Sequence, residues 1–130
     1  MALIEREVAW NGLIGPHEEV LWADVQMLDA LWRGSPIYVG PGGKGSYQLR
    51  YSQIGEMITA GNAVKMPEIG GDTFFAATTY IGFIDGTHRF SWIRDHGGVA
   101  IPVLIDREYC IKLKRRLATT KRVCRIRYEG

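Results

Sequence analysis

Two kinds of apolar pattern predict strands and helices along the first half of this chain. Residues 18–23 and residues 74–84 predict strands, the second segment because it is rich in aromatic and β-branched side chains. Residues 24–32 begin with an aspartate that suits an N-cap and carry apolar residues at spacings of three and four, which predicts a helix. A second helix is predicted after Ser52, with its end at residues 61–62, a glycine followed by an asparagine.

A glycine-rich segment separates these two predicted helices. Residues 37–39 predict a short strand, and residues 40–46 contain four glycines, which resist regular structure. A Walker phosphate loop needs Gly-Lys followed by Ser or Thr at the start of a helix, whereas Lys44 is followed by Gly45. The sequence therefore excludes a Walker site here and predicts a mobile loop.

The most informative segment is residues 83–105, which reads as strand, polar turn, helix, glycine stop and strand. The turn, residues 85–89, is Asp-Gly-Thr-His-Arg, and Thr87 is the expected N-cap of the helix. Backbone N–H groups are unpaired at a helix N-terminus, and the helix dipole favours an anion there. Because His88 and Arg89 add two further groups that bind phosphate, the turn predicts a phosphate pocket.

The remaining pattern predicts an α+β fold, with a small mixed sheet surrounded by helices. Residues 107–117 predict a basic helix, and residues 122–128 alternate apolar residues with arginines, as in a last strand. A chain of 130 residues suits one domain. We divide it into an N-terminal arm (1–19), a core (20–106) and a basic C-terminal helix and strand (107–130) that belong to the same domain.

Composition narrows the class of protein. The chain is 46% hydrophobic and 23% charged, which is typical of a folded soluble domain. No apolar run approaches the roughly 20 residues that span a bilayer, and acids stand at the N-terminus where a signal peptide would be basic. We expect a cytoplasmic protein without a membrane partner. Cys110 and Cys124 are too few and too far apart for a metal knuckle, so no metal site is predicted.

The charge is unevenly distributed. Residues 112–130 contain eight basic residues and one acid, whereas the first 111 residues have a net charge of −5. We expect the predicted last strand to present Arg122, Arg125 and Arg127 to solvent, which suits non-specific contact with a nucleic-acid backbone. The alternatives are an acidic surface of a partner or of this protein's own N-terminal part, and a solvated edge strand protected by charge.

Each residue of the polar turn has a structural interpretation beside the functional one. Arg89 is costly to bury without an anion, which is either a phosphate or the carboxylate of Asp85. Asp85 either orients His88 or holds a divalent metal beside a nucleotide, or it bonds its own backbone as a turn aspartate. His88 is either a phosphate donor or acid/base group, or a structural histidine.

The same residues resemble the core of the ParB/sulfiredoxin superfamily. The resemblance covers roughly residues 20–106 and rests on the turn at 85–89, the helix ending in two glycines, and the Ile-Pro-Val at 101–103. An upstream Arg-Tyr at 50–51 and a Met-Pro-Glu at 66–68 are similar to an uncharacterised phage and plasmid group with an Asp-Gly-x-His-Arg motif. Members of the superfamily bind nucleotide phosphates through such an arginine-containing turn.

The resemblance implies a site and two functions. Gly86, Thr87, His88, Arg89 and Arg50 would bind nucleotide, ATP or CTP with Mg²⁺, while Asp85, His88 and Glu68 would supply metal or base chemistry. The implied activity is that of an NTPase, phosphotransferase or nuclease. Sulfiredoxin activity is not expected, since Thr87 occupies the position of the sulfiredoxin cysteine. The alternative is a non-catalytic accessory or inhibitor protein that binds a host or competitor protein.

Overall fold

Two β-sheets form the framework of the part of the chain that the structure describes. The computed structural model describes residues 2–70 and 81–130. Its strands are β1 (Leu3–Glu7), β2 (Glu18–Asp24), β3 (Glu68–Gly70), β4 (Gly82–Asp85), β5 (Ala100–Asp106) and β6 (Arg125–Glu129). Its helices are α1 (Val25–Trp32), α2 (Gln48–Thr59), α3 (Thr87–Asp95) and α4 (Cys110–Leu117), with short 3₁₀ turns at Pro41–Gly43 and Arg107–Tyr109. The α+β architecture predicted from the sequence is confirmed.

The larger sheet is mixed, as predicted, with the strand order β2–β5–β3–β4. β2 and β3 flank β5, antiparallel and parallel to it respectively, and β4 runs antiparallel to β3. β5 is buried along nearly its whole length, as expected for a central strand that is covered on both faces. The strand predicted over residues 74–84 is present at its end as part of β4, and residues 74–80 lie outside the described residues.

An aromatic cluster holds the polar turn from both sides. Phe83 in β4 precedes the turn, and Phe90 in α3 follows it. Their ring centroids lie 5.2 Å apart, and both rings contact the fully buried Trp32 of α1, at 4.8 and 5.8 Å. Aromatic pairs at these separations bury much apolar surface and have defined geometry. The core therefore fixes the strand and the helix between which the turn runs.

The smaller sheet joins the two ends of the chain. β1 pairs with β6 in an antiparallel register that sets Leu3 opposite Glu129 and Glu7 opposite Arg125. Part of the predicted N-terminal arm is therefore a strand. β6 begins at Arg125, three residues later than predicted. The Arg122 guanidinium donates instead to carbonyl groups of the preceding turn.

The predicted start of the second helix is wrong. α2 begins at Gln48, one turn before Ser52. The Gln48 side chain donates to the Gly43 carbonyl at 2.8 Å, so the glycine-rich segment itself anchors the first turn.

The predicted strand at residues 37–39 is also wrong. The Tyr38 hydroxyl donates to Asp29 Oδ1 at 2.9 Å, and the Val39 carbonyl accepts from Arg94 Nη1 at 2.7 Å. These side-chain contacts take the place of a strand ladder, and they fix this segment against α1 and α3.

Candidate phosphate-binding site

The turn after β4 requires glycine at position 86. Gly86 has φ +93°, in the left-handed region, and stands at the N-cap of α3. A Cβ atom at this position would lie 2.7 Å from Pro67 Cα and 2.9 Å from the Arg89 Nη2. The prediction that Thr87 caps the helix is wrong, because Thr87 is the first residue of α3 and no side chain caps this end. The first amides of the helix are consequently left for another acceptor.

A cavity of about 210 Å³ opens beside this turn. β4, α2 and α3 line it, together with Ile37 from the segment before the glycine-rich loop. Its lining residues are Ile37, Arg50, Ile54, Phe83, Ile84, Asp85, Gly86, Thr87, His88 and Arg89. The structure therefore brings together Arg50 and the complete Asp-Gly-Thr-His-Arg turn, although Asp85 stands 35 positions after Arg50 in the chain.

Asp85 and Arg89 form an ion pair at the cavity. The Arg89 Nη2 lies 3.1 Å from Asp85 Oδ2, and the Arg89 side chain is only 14% exposed. Burial disfavours the ionised form of Asp85, but the hydrogen bond and charge of Arg89 outweigh it and hold the pKa of this carboxyl below its usual value. Lys65 Nζ, at 3.7 Å from the same oxygen, acts in the same direction. Asp85 is therefore ionised, and it partners Arg89 in this structure.

Arg89 also has a buried nitrogen without a partner. Among the described residues, no acceptor bonds the Arg89 Nε, which is shielded from solvent. A guanidinium nitrogen in this condition is costly, and a phosphate oxygen is one acceptor that suits its geometry.

His88 is held neutral. Burial and then the charges of Arg50 and Arg89 lower the pKa of its imidazole. Its Nε2 is shielded from solvent and has no partner among the described residues. A neutral imidazole can either donate a hydrogen bond to a phosphate oxygen or accept a proton, depending on its tautomer.

Glu68 lies apart from these residues. It stands opposite Asp85 in the β3–β4 ladder, next to a bulge, and it lines a separate cavity of about 300 Å³ with Lys65 and Leu104. The structure brings the predicted nucleotide-binding residues into one cavity but does not bring Glu68 into it. Sequence reasoning missed Lys65, whose only signal is its position one residue before Met66-Pro67.

Neither a metal cluster nor a membrane helix is present in the described part of the chain. Across residues 2–70 and 81–130, no group of three or more His, Cys, Asp or Glu side chains could hold a metal ion. The same residues contain no helix long and apolar enough to cross a bilayer.

A buried charged cluster at the other end of α3 has no counterpart in the sequence predictions. Arg94, only 10% exposed, donates to Asp29 Oδ1 and to Asp95 Oδ1, both at 2.9 Å. The Tyr51 hydroxyl donates to Asp95 Oδ2 at 2.7 Å. The adjacent Arg94-Asp95 pair near a helix end is the only sequence signal for this cluster, and such pairs are too common on protein surfaces to be specific.

Arg122, Arg125 and Arg127, which we call the C-terminal stripe, differ in their surroundings. Arg127 Nε lies 3.0 Å from Glu5 Oε1, and Arg125 stands opposite Glu7 in the β1–β6 ladder. Arg122 is exposed and donates to backbone carbonyl groups of its own turn. Two of the three arginines, Arg125 and Arg127, thus lie next to acidic residues of β1.

Comparison with solved structures identifies the fold. The chain matches the crystal structure of the Oncogenic Suppression Activity Protein, described as a plasmid fertility inhibition factor and solved as a gold(I) cyanide derivative. The TM-score is 0.63 at 13% identity, over 95% of this chain and 72% of that one. No protein-family model and no curated protein matches the chain. At this identity the likeness concerns the fold alone, and it agrees with the α+β fold that the sequence predicts.

Proposed function

We propose that this protein binds the phosphate of a nucleotide, with ATP or CTP as candidate ligands, in the cavity between β4, α2 and α3. The observation that carries the proposal is the convergence of three features on one cavity. They are the uncapped N-terminus of α3, the guanidinium groups of Arg50 and Arg89, and the neutral imidazole of His88. Helix N-termini and arginines are the groups that proteins use most readily for phosphate.

The residues around the cavity also suit phosphoryl-transfer chemistry. Such reactions depend mainly on positioning and on neutralising charge, which Arg50, Arg89 and the helix amides provide. His88, as a neutral imidazole, is the candidate general base, and Asp85 is the carboxylate that would face a Mg²⁺ ion carried in by the nucleotide. Glu68 remains a candidate only if the β3–β4 edge moves it toward the phosphate. The reaction classes are those of an NTPase, a phosphotransferase or a nuclease.

Isothermal titration with ATP, CTP and ADP, each with and without Mg²⁺, tests the binding. We expect wild-type protein to bind at least one nucleotide, and Arg89→Ala to lose at least tenfold in affinity, since a hydrogen bond to a charged group is worth about 1.5–3 kcal/mol. Arg115→Ala is the matched control, because it removes the same charge from an exposed position on α4. Binding that is absent in the wild type, or equal in both variants, contradicts the proposal.

A second candidate function has support from the fold comparison. The matching solved structure is described as a plasmid fertility inhibition factor, so the fold occurs in a protein of that kind. We propose as the alternative a phage- or plasmid-type accessory protein that binds a host or competitor protein without catalysis. Ile84, 70% exposed at the mouth of the cavity, would then belong to a contact surface.

The two functions make opposite predictions for the same variants. If the alternative is correct, capture of a protein partner survives both Arg89→Ala and His88→Ala, and no nucleotide is turned over. If nucleotide binding is the function, both substitutions weaken it.

A further inference from the structure

The first turn of α2 has no side-chain cap of its own. Tyr47 stands at the N-cap and makes no capping hydrogen bond with its side chain. An uncapped helix start frays unless other contacts hold it. Arg50, the cation that α2 contributes to the phosphate cavity, lies within this first turn.

One carboxylate from α3 holds the end of this turn that carries Tyr51, while the Gln48–Gly43 hydrogen bond anchors its start. Asp95 Oδ2 accepts hydrogen bonds from the Tyr51 hydroxyl at 2.7 Å and from the Gly42 N–H at 2.9 Å. Its Oδ1 accepts from the Arg94 Nε at 2.9 Å. We name these four residues, Gly42, Tyr51, Arg94 and Asp95, the Asp95 clamp. The clamp ties the glycine-rich loop, α2 and α3 to a single carboxylate.

The glycine-rich loop is shaped to fit the clamp. Gly43 has φ +80°, and a Cβ atom there would lie 2.8 Å from Cγ of the Tyr51 ring. Its carbonyl accepts from Ser46 Oγ at 2.7 Å and from Gln48 Nε2 at 2.8 Å. The predicted mobile loop is thus packed against α2, with glycine required where the tyrosine ring lies.

Burial strengthens the clamp. The side chains of Arg94 and Asp95 are 10% and 11% exposed, and hydrogen bonds are stronger in such surroundings than in water. Burial and the hydrogen bond to Asp95 raise the pKa of Tyr51, so its hydroxyl remains a donor at physiological pH.

We propose that the Asp95 clamp positions Arg50 for phosphate binding, so that Tyr51 and Asp95 are positioning residues of the cavity although neither would touch the phosphate. This inference rests on the proposed phosphate site. Arg50 directly precedes Tyr51, so loosening the tyrosine anchor lets the uncapped turn fray and the guanidinium leave the cavity. The clamp also restrains the segment that contributes Ile37 to the cavity, because Arg94 donates to the Val39 carbonyl two residues after Ile37.

Tyr51→Phe tests this by removing one hydroxyl and retaining the ring on Gly43. With ADP and inorganic phosphate as probes, we expect affinity to fall between about three- and tenfold, the range for losing part of a charged contact. Tyr47→Phe is the matched control, since this exposed tyrosine is four residues away in the same turn. The substitution is then repeated in an Arg50→Ala background, where the clamp has no guanidinium to position.

A positioning role and a merely structural role differ in that background. If the clamp positions Arg50, Tyr51→Phe has no further effect on affinity in Arg50→Ala protein, although it lowers the melting temperature in both backgrounds. Equal weakening in both backgrounds, or no weakening in the wild type, overturns the inference. Asp95→Asn provides a second variant if Tyr51→Phe folds poorly, with the same expected pattern.

A ligand-free readout keeps this inference separate from the phosphate site. Arg50 and Arg89 both lower the pKa of His88, and loosening the clamp removes the contribution of Arg50 alone. In an NMR titration, Tyr51→Phe should raise the pKa of His88 in the wild type and leave it unchanged in Arg50→Ala protein. If Tyr51→Phe in otherwise wild-type protein leaves the pKa of His88 unchanged, the clamp is overturned even where phosphate binds. Conversely, the expected shift without phosphate binding supports the clamp and refutes the proposed function.

Discussion

Gly86→Ala measures how far the phosphate turn depends on its glycine. Alanine at φ +93° occupies the left-handed region, which costs about 1–2 kcal/mol for an L-residue. The new Cβ would also lie 2.7 Å from Pro67 Cα, a backbone atom that cannot rotate away. Overpacking of this kind adds about 1–3 kcal/mol. The free energy of unfolding should therefore fall by about 2–5 kcal/mol.

Gly97→Ala is the matched control for this substitution. Gly97 has φ +84°, so alanine is strained there to a similar degree, but no heavy atom lies within 4 Å of the Cβ position. We expect a loss of only about 1–2 kcal/mol, from backbone conformation alone. The difference in free energy of unfolding between the two variants therefore measures the steric clash of the new Cβ at position 86 with Pro67 and Arg89.

Urea denaturation gives the two free energies, and isothermal titration with ADP gives the effect on binding. Because the Cβ of Gly86→Ala would also lie 2.9 Å from the Arg89 Nη2, we expect at least a tenfold loss of affinity in this variant and none in Gly97→Ala. Equal destabilisation of both variants would refute the steric argument. Unchanged affinity in a folded Gly86→Ala protein would refute the assignment of this turn to phosphate.

Three further predictions concern stability, pH and charge. Arg94→Leu should destabilise the protein by about 3–5 kcal/mol, measured in urea against Arg115→Leu, because it removes the arginine partner of the buried Asp95 carboxylate, whereas Asp29 keeps Arg33. A loss below about 1 kcal/mol would contradict this. The free energy of unfolding should fall as pH drops below the ordinary His88 value of 6.5, because the folded state lowers the pKa of this group and so binds fewer protons than the unfolded state. His88→Gln should remove this part of the pH dependence, and identical profiles would exclude it. The protein should bind duplex DNA weakly at low salt, and the logarithm of the affinity should fall against the logarithm of salt concentration with a slope of about −0.9 per neutralised phosphate. Binding should vanish in the Arg122→Glu/Arg125→Glu/Arg127→Glu variant. Equal binding by that variant would show that the C-terminal stripe is only a solvated edge.

Local chemistry made much of the fold predictable from the sequence. The turn at residues 85–89 was predictable because a strand, a glycine and a helix stand in immediate succession there. The mixed α+β architecture followed from the alternation of strand and helix patterns, and the structural comparison bears it out. The start of α2 was not predictable, since its anchor is the Gly43 carbonyl rather than a cap within the helix.

Long-range contacts explain what the sequence could not reveal about the site. Nothing in the local pattern joins Arg50 to the turn at 85–89, because α2 and α3 meet only after the chain folds. The Asp95 clamp is invisible for the same reason, since its hydrogen bonds cross 44 and 53 residues of sequence. The resemblance to known proteins singled out the Arg-Tyr pair at 50–51. Only the structure shows that Arg50 lines the phosphate cavity while Tyr51 bonds Asp95.

Amide chemical-shift mapping tests the central claim most directly. In a ¹H–¹⁵N titration of the wild-type protein with ADP, and separately with inorganic phosphate, we expect the largest shifts at the amides of Thr87, His88 and Arg89. The cleft of about 1000 Å³ contains residues of the Asp95 clamp at one side, and Leu3 and Glu129 outside the clamp. The amides of Leu3 and Glu129 serve as an internal control, because they should respond little. Shifts centred on that cleft, or no saturable shift at the α3 N-terminus with either probe, would contradict the assignment of a phosphate site to this protein.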